Sequence, residues 1–199
     1  MYSSTELALK YLNYTWRASN GKGHGIHSPF VYEFVTEVLN DQRMYYPFAA
    51  IENLRASLEK DRRKIVVEDY GKSSAIHKEL RVAAIARRAL SAKKFGQLLF
   101  RMVNHYQPKN IVELGTSLGI SGAYLAAADP EASLITIEGS DEIARIAAEG
   151  FKKLQLGNIR QIIGNFDETL KTVNQSSPPA DLVYIDGNHR KEPLLNYFH

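Results

Sequence analysis

From Pro108 onward, short apolar runs alternate with amphipathic stretches, and this alternation restricts the fold more than any other feature of the chain. Ile111 to Leu114, Leu134 to Ile137, Ile159 to Ile163 and Leu182 to Ile185 are short β-prone runs. Helical patterns separate them: one through Tyr124 to Ala128, one carrying Ile143, Ala147, Phe151 and Leu154, and a short one over Asp167 to Val173. Ser140 is placed to cap the second of these helices, and Gly157-Asn158 to close it. Ser176 to Pro179 is a turn before the last strand. Strands separated by helices form parallel sheets with right-handed crossovers, so the expected class is α/β. Ligands in such sheets sit outside the C-terminal strand ends, which is where every candidate below falls.

The first 105 residues read as helices. Leu7 to Trp16 is one, broken by Asn20 to Gly23. Ser28-Pro29 starts another, since a hydroxyl can cap the first turn and proline already has a helical φ. Phe30, Val31, Phe34, Val35, Val38 and Leu39 then recur at helical spacing, which predicts one buried face ending at Asn40-Asp41. Ile51, Leu54 and Leu58 mark the next helix. Lys64 to Tyr70 is β-prone and is followed by a loop over Gly71 to Ser74. Leu80 to Leu90 and Phe95 to Tyr106 are two further helices, the latter with Leu98, Leu99, Met102, Val103 and Tyr106 on one face. The expected organisation is a helical extension over 1–105 and a sheet domain over 106–199.

Charge divides along the same line. Residues 1–105 hold 17 Lys/Arg against 10 Asp/Glu, and residues 106–199 hold 8 against 12, or +7 against −4. Lys60, Arg62, Arg63 and Lys64, then Arg87, Arg88, Lys93 and Lys94, form the basic clusters, interrupted by Glu59 and Asp61. No aromatic-rich nucleic-acid motif accompanies them, so a solvated helix face is the plain reading and an anionic substrate or RNA the alternative. The chain has no cysteine, which excludes disulfides, thiolate metal sites and a Cys nucleophile. No apolar run approaches the ~20 residues of a membrane span, and Met1 to Lys10 lacks a signal-peptide pattern. A soluble cytoplasmic protein is the expectation.

Four strand ends carry chemistry. Glu113-Leu-Gly115-Thr116-Ser117-Leu-Gly119-Ile-Ser121 follows the first strand. A tight turn needs one glycine. Two glycines and three hydroxyls suit a loop whose backbone approaches a ligand at a helix N-terminus. The Gly-x-x-x-Gly spacing departs from the dinucleotide fingerprint, and no Gly-Lys-Ser/Thr is present, so NAD and nucleoside triphosphates are disfavoured. Glu138-Gly139 ends the second strand, 23 residues beyond Gly115, where a carboxylate can accept from both hydroxyls of a ribose. Gly164-Asn165-Phe166-Asp167 ends the third strand and offers a ring and polar groups for an adenine, or merely a turn and a core Phe. Asp186-Gly187-Asn188-His189 ends the fourth. Asp186 and His189 there could act as orienter or metal ligand and as general base, or form a plain β-turn.

In this order and spacing the four elements resemble the class I S-adenosylmethionine-dependent methyltransferases, in the branch of the catechol and caffeoyl-CoA O-methyltransferases. The resemblance covers Phe95 to Tyr197. It implies a Rossmann-like parallel sheet, with Glu113, Gly115, Thr116, Ser117, Gly119 and Ser121 around the methionine part of the cofactor. Glu138, with Gly139, would bind the ribose, and Asn165-Phe166 would flank the adenine. Asp186 matches a position that binds a divalent metal or the methionine end, and His189 falls where those enzymes place a Lys base. The segment His24-Gly-Ile-His27-Ser-Pro-Phe30 resembles extensions of bacterial members, notably from Bacteroidetes.

The family sheet has seven strands in the order 3-2-1-4-5-7-6, whereas this chain supplies 3-2-1-4 and runs only 13 residues past Asp186. Strands 5–7 and their acidic metal ligands are missing, which suggests truncation and no metal site from this chain alone. Strand four would be an apolar edge, open to a partner, to a second copy forming a homodimer, or to the N-terminal helices. The implied function is methyl transfer from S-adenosylmethionine to a hydroxyl of a small-molecule acceptor. The alternatives are an RNA methyltransferase using the basic half, and a cofactor-binding or assembly module without turnover. The Asn/Asp-Pro-Pro-Tyr/Phe motif and the Cys used by two routes to methylated nucleic acid are both absent.

Overall fold

The computed structural model describes residues 28–69 and 76–187, together with Thr5, Ala8 and Leu9. His189, the 71–74 loop, the 20–23 break and His24 to His27 lie outside the described residues, as does all but Ala8 and Leu9 of the helix expected over 7–16. The chain forms two compact units, Met1–Arg43 and Met44–His199.

In the first unit, α1 (Pro29–Glu33) begins as expected, with Ser28 Oγ accepting from the Val31 N–H at 3.4 Å and Pro29 in the first turn. It continues as a π-helical turn over Phe34–Leu39, closed by the Asn40 N–H on the Val35 carbonyl at 3.0 Å. The wider turn shifts the 3.6-residue phase and splits the expected apolar face. Val38 is fully buried, while Phe30, Val31 and Leu39 are exposed.

The second unit is built on a parallel sheet of β3 (Asn110–Leu114), β4 (Ser133–Glu138), β5 (Ile159–Ile163) and β6 (Leu182–Ile185), in the order β5-β4-β3-β6. This is the expected 3-2-1-4 arrangement. The central strands are apolar on both faces because helices cover both. Ile111 and Leu134 lie in one core cluster, while Val112, Leu114, Ile135 and Ile137 lie in another with Val173. β6 is the outer strand among the described residues, and its Val183 is 50% exposed.

Around the sheet stand α2 (Pro47–Leu58), α3 (Val82–Ala89), α4 (Lys93–Tyr106), α5 (Ile120–Ala128), α6 (Asp141–Lys153) and α7 (Phe166–Ser176). A hairpin of β1 (Lys64–Asp69) and β2 (Ile76–Arg81) precedes α3. Lys64 to Asp69 is thus a strand, as its composition predicts. Leu80 and Arg81, expected to open a helix, instead pair with Ile65 and Lys64, and the helix starts at Val82. Cross-strand pairing overrides the local preference here. The main core joins α2, α3, α4, α5 and α6, with Phe48, Phe100 and Tyr124 in edge-to-face contact at 5.0–5.6 Å.

Three helix details differ from expectation. The buried stripe of α4 is Gly96, Phe100 and Val103, while Leu98, Leu99 and Met102 are half-buried and Tyr106 is exposed. Gly96 sets this phase, because the Tyr124 ring lies where its Cβ would be; a hydrophobicity count passes over it. Ser140 occupies the N-cap of α6 but makes no side-chain cap bond. Past the C-cap Leu154, it is Gln155 at φ 57°, not Gly157, that turns left-handed, while Asn158 Nδ2 donates to the carbonyls of Ala126, Asp129 and Ala132 at 3.0–3.1 Å.

A Cβ on Gly96 would lie 2.4 Å from the Tyr124 ring. Gly96→Ala overpacks a core that cannot yield at that ring, and should lower stability by about 1–3 kcal/mol. The expected reading is a lower urea midpoint at unchanged slope; an unshifted midpoint would contradict the packing described.

Candidate active site

The C-terminal ends of all four parallel strands converge on one crest. At Gly115, φ is +101° and a Cβ would lie 2.7 Å from the Asp186 carbonyl oxygen, so the β3 and β6 ends touch backbone to backbone. Gly187 repeats the device: its Cβ would meet the Phe166 ring at 2.8 Å and Gly115 Cα at 3.4 Å. Gly115, Phe166 and Asp186 therefore meet at one point. Gly119, at φ +81°, caps α5 and brings that helix start against the Phe151 ring.

Glu138 ties two of these loops together. Its Oε2 accepts from the Ser117 N–H at 2.8 Å and its Oε1 from the Ser140 N–H at 3.0 Å. Ser117 is thereby held at φ 48°, an unusual conformation for a residue with a side chain. Burial raises the Glu138 pKa, opposed by the backbone N–H groups of Ser140, Ser117 and Gly139. These donors take at most three of the carboxylate's four acceptor sites, which leaves room for a further donor.

Beneath the loop lies Glu113, fully buried on the α5 side of the sheet. Parallel register sets it beside Thr136, whose hydroxyl donates to Glu113 Oε2 at 2.6 Å. Thr116 and Thr136 hydroxyls are 2.5 Å apart. Since the Thr136 proton is spent on Glu113, Thr116 is the donor, which makes a relay from the loop to the carboxylate. Burial pushes the Glu113 pKa up to about 7, partly offset by the Ser121 and Thr136 hydroxyls and reinforced by the charges of Asp186 and Glu138. Gly122, which sequence reasoning passed over, makes room for this group: a Cβ there would be 2.7 Å from Glu113 Oε2.

Asp186 Oδ2 accepts from the Tyr184 hydroxyl at 3.1 Å and from Ser91 Oγ at 3.5 Å. Burial, with the Asp186 charge, pushes the Tyr184 hydroxyl up to about 12. Ser91 and Arg55 are also residues that the motifs did not flag. Arg55 Nε donates to both oxygens of Glu52 at 3.1 Å, and Nη1 to the Ser91 carbonyl at 2.8 Å. Tyr124 OH donates to the same Glu52 at 2.7 Å. Arg55 Nη2 is buried without a partner. Arg55, Ser91, Thr116, Ser117, Ser121 and Asp186 line a cleft of about 340 Å³ including its open mouth, with an inner space of about 20 Å³, room for about one water. In sequence, Arg55 reads as an ordinary i,i+3 partner of Glu52, and nothing local marks it.

The remaining candidates lie at the rim. Asn165 is exposed, and its side-chain oxygen caps α7 by accepting from the Asp167 N–H at 3.1 Å. Gly139 is half-buried beside Glu138. Among the described residues, no group of three His, Cys, Asp or Glu is placed to hold a metal ion, and no described helix is long and apolar enough to cross a membrane.

Residues 112–199 match the methyltransferase domain family. A catechol O-methyltransferase from Niastella koreensis is 35% identical over 108 residues, covering 53% of this chain and 47% of that protein. The O-methyltransferase TomG from Streptomyces achromogenes, solved with S-adenosylmethionine, is 29% identical at a TM-score of 0.52, covering 55% of this chain and 50% of TomG. An O-methyltransferase from Bacillus cereus, solved with S-adenosylhomocysteine, shares the fold at a TM-score of 0.58 and 19% identity, over 84% of this chain and 66% of that one. The chain spans about half the length of the curated relatives it matches.

The buried carboxyl of the matched segment gives a pH test. Below the ordinary Glu value of 4.5, Glu113 is protonated in both the folded and unfolded states. Between 4.5 and about 7, unfolding releases its proton, so its contribution to stability falls as pH rises. Glu113→Gln keeps the shape of the neutral acid. The melting temperature of wild type should therefore drop relative to Glu113→Gln from pH 4.5 to 7.5, and a constant difference would contradict the raised pKa.

Proposed function

We propose that this chain binds S-adenosylmethionine along the crest and transfers its methyl group to a hydroxyl oxygen of a small-molecule acceptor. The observation that carries this reading is the convergence of the Gly115 loop, Glu138 and Asp186 on one crest within the methyltransferase domain. The inner cleft admits a small polar group and not a nucleoside. The methionine end thus belongs beside Ser117, Ser121 and Asp186, under which Thr116, Gly115 and Gly119 shape the floor. Ribose and adenine belong on the open face, by Glu138-Gly139 and by Asn165-Phe166. Glu138 would take the ribose hydroxyls with its remaining acceptor capacity, already oriented by Ser117 and Ser140.

The cofactor supplies a sulfonium-bound methyl that is reactive without activation. What the protein adds is alignment of the acceptor oxygen with that methyl and removal of the oxygen's proton. Asp186, fixed by Tyr184 and Ser91, would orient the ligand, and His189 would take the proton. A small acceptor is favoured over RNA because two residues of the basic cluster are committed to acidic partners: Arg63 to Asp61 and Glu149 at 2.7 and 3.0 Å, and Lys64 to Glu79 at 2.8 Å.

Calorimetry with S-adenosylhomocysteine tests the reading. Wild type should bind it, and a folded Glu138→Ala variant should bind about 10- to 100-fold more weakly, the value of one or two charge-assisted hydrogen bonds. No heat from folded wild type would refute the proposal. Equal affinity of the variant would remove Glu138 from the ribose site.

A further inference from the structure

We infer that Arg55 completes the cofactor site by gripping the carboxylate of the methionine end, so that the cleft reads an α-amino acid as a zwitterion. The inference rests on the reading above and extends it to a residue of α2, well ahead of the matched domain. Three observations converge on it. The guanidinium is held from two sides, by Glu52 at Nε and by the Ser91 carbonyl at Nη1, so its direction is set before any ligand arrives. Its Nη2 is buried with no acceptor. A buried donor left unpaired is costly, the more so when it belongs to a charged group, and an incoming carboxylate recovers that loss.

The cleft itself supplies the third. Its charged lining groups are Arg55 and Asp186, with the hydroxyl residues Ser91, Ser117 and Ser121 between them. An anion and a cation lining one cleft match the ammonium and the carboxylate of an α-amino acid, with the carboxylate reaching inward to Arg55 and the rest of the group in the open mouth. A planar guanidinium suits the carboxylate half, and the Asp186 carboxylate suits the ammonium half. Glu52 meets Arg55 at Nε and shares its Oε1 with the Tyr124 hydroxyl, so it does not occupy Nη2. Nη2 remains the open donor.

The test compares two ligands that share the nucleoside and its sulfur. S-Adenosylhomocysteine carries the amino-acid ammonium and carboxylate, and 5′-methylthioadenosine carries neither. By calorimetry, wild type should prefer the former. Arg55→Gln should lose about 10- to 100-fold in affinity for S-adenosylhomocysteine and less than 2-fold for 5′-methylthioadenosine. Equal losses for both ligands would make Arg55 a structural residue and overturn the inference. So would unchanged affinity for S-adenosylhomocysteine, including the case where only the acceptor KM rises. If wild type binds neither ligand, the underlying cofactor reading fails as well, which separates the two failures. Should Arg55→Gln not fold, Arg55→Lys keeps the charge but not the fork, and the same two-ligand comparison decides.

Discussion

The crest is organised around a place where no side chain can stand. The backbone of Gly115 lies against that of Asp186, and this contact sets the distance between the ends of β3 and β6. Any Cβ at Gly115 would force the two apart and would also be strained at its positive φ. Once the strand ends touch, the neighbouring geometry follows. Gly187 can seat the Phe166 ring, the loop must climb over Glu113, and Ser117 must turn left-handed to meet Glu138. The glycines therefore act together. They put the β3 and β6 ends in backbone contact and seat the Phe166 ring, which follows β5, beside them.

That closeness concentrates negative charge. Glu113, Glu138 and Asp186 lie near enough that the last two raise the pKa of the first. The structure manages this by different means at each group. Glu113 is shielded by burial and a hydroxyl relay, and titrates near neutral pH. Glu138 is spread over backbone N–H donors. Asp186 shares one oxygen with Tyr184 and Ser91. A ligand carrying positive charge near its sulfur and its amino group would relieve the same repulsion, so the electrostatics of the crest and the proposed cofactor point in one direction.

Much of this was legible in the sequence. The four parallel strands and the strand-end positions of Glu113, Gly115, Glu138, Phe166 and Asp186 follow from hydrophobic alternation and glycine spacing, which are local signals, while the strand order comes from the family resemblance. What was not legible depended on contacts between distant segments. Leu80 and Arg81 look helical until β1 pairs with them. The buried stripe of α4 is set by Gly96 against Tyr124, which no apolar periodicity records. The π-turn over Phe34–Leu39 breaks the 3.6-residue phase between Phe30 and Leu39 while leaving the helical composition untouched. Arg55 and Ser91 carry no motif, and they reach the site only because α2 and the start of α4 pack beside the glycine loop.

This packing bears on what the matched domain can do by itself. Residues 112–199 contain the glycine loop, Glu138 and Asp186, but the cationic side of the cleft comes from α2. The link is mechanical as well as electrostatic. Tyr124 of α5 holds Glu52, Glu52 holds Arg55, and Arg55 holds the Ser91 carbonyl just before α4. Tyr124 is in turn pressed against Gly96 at the beginning of that same helix. The chain of contacts closes on itself, so the loop that carries Ser91 is positioned by the same aromatic ring that fixes the core. A sheet domain cut free of residues 44–105 would keep the Glu138 carboxylate but lose one wall of the cleft that Arg55 and Ser91 line. Helices that look like an extension in the sequence line the same cleft as the glycine loop and Asp186.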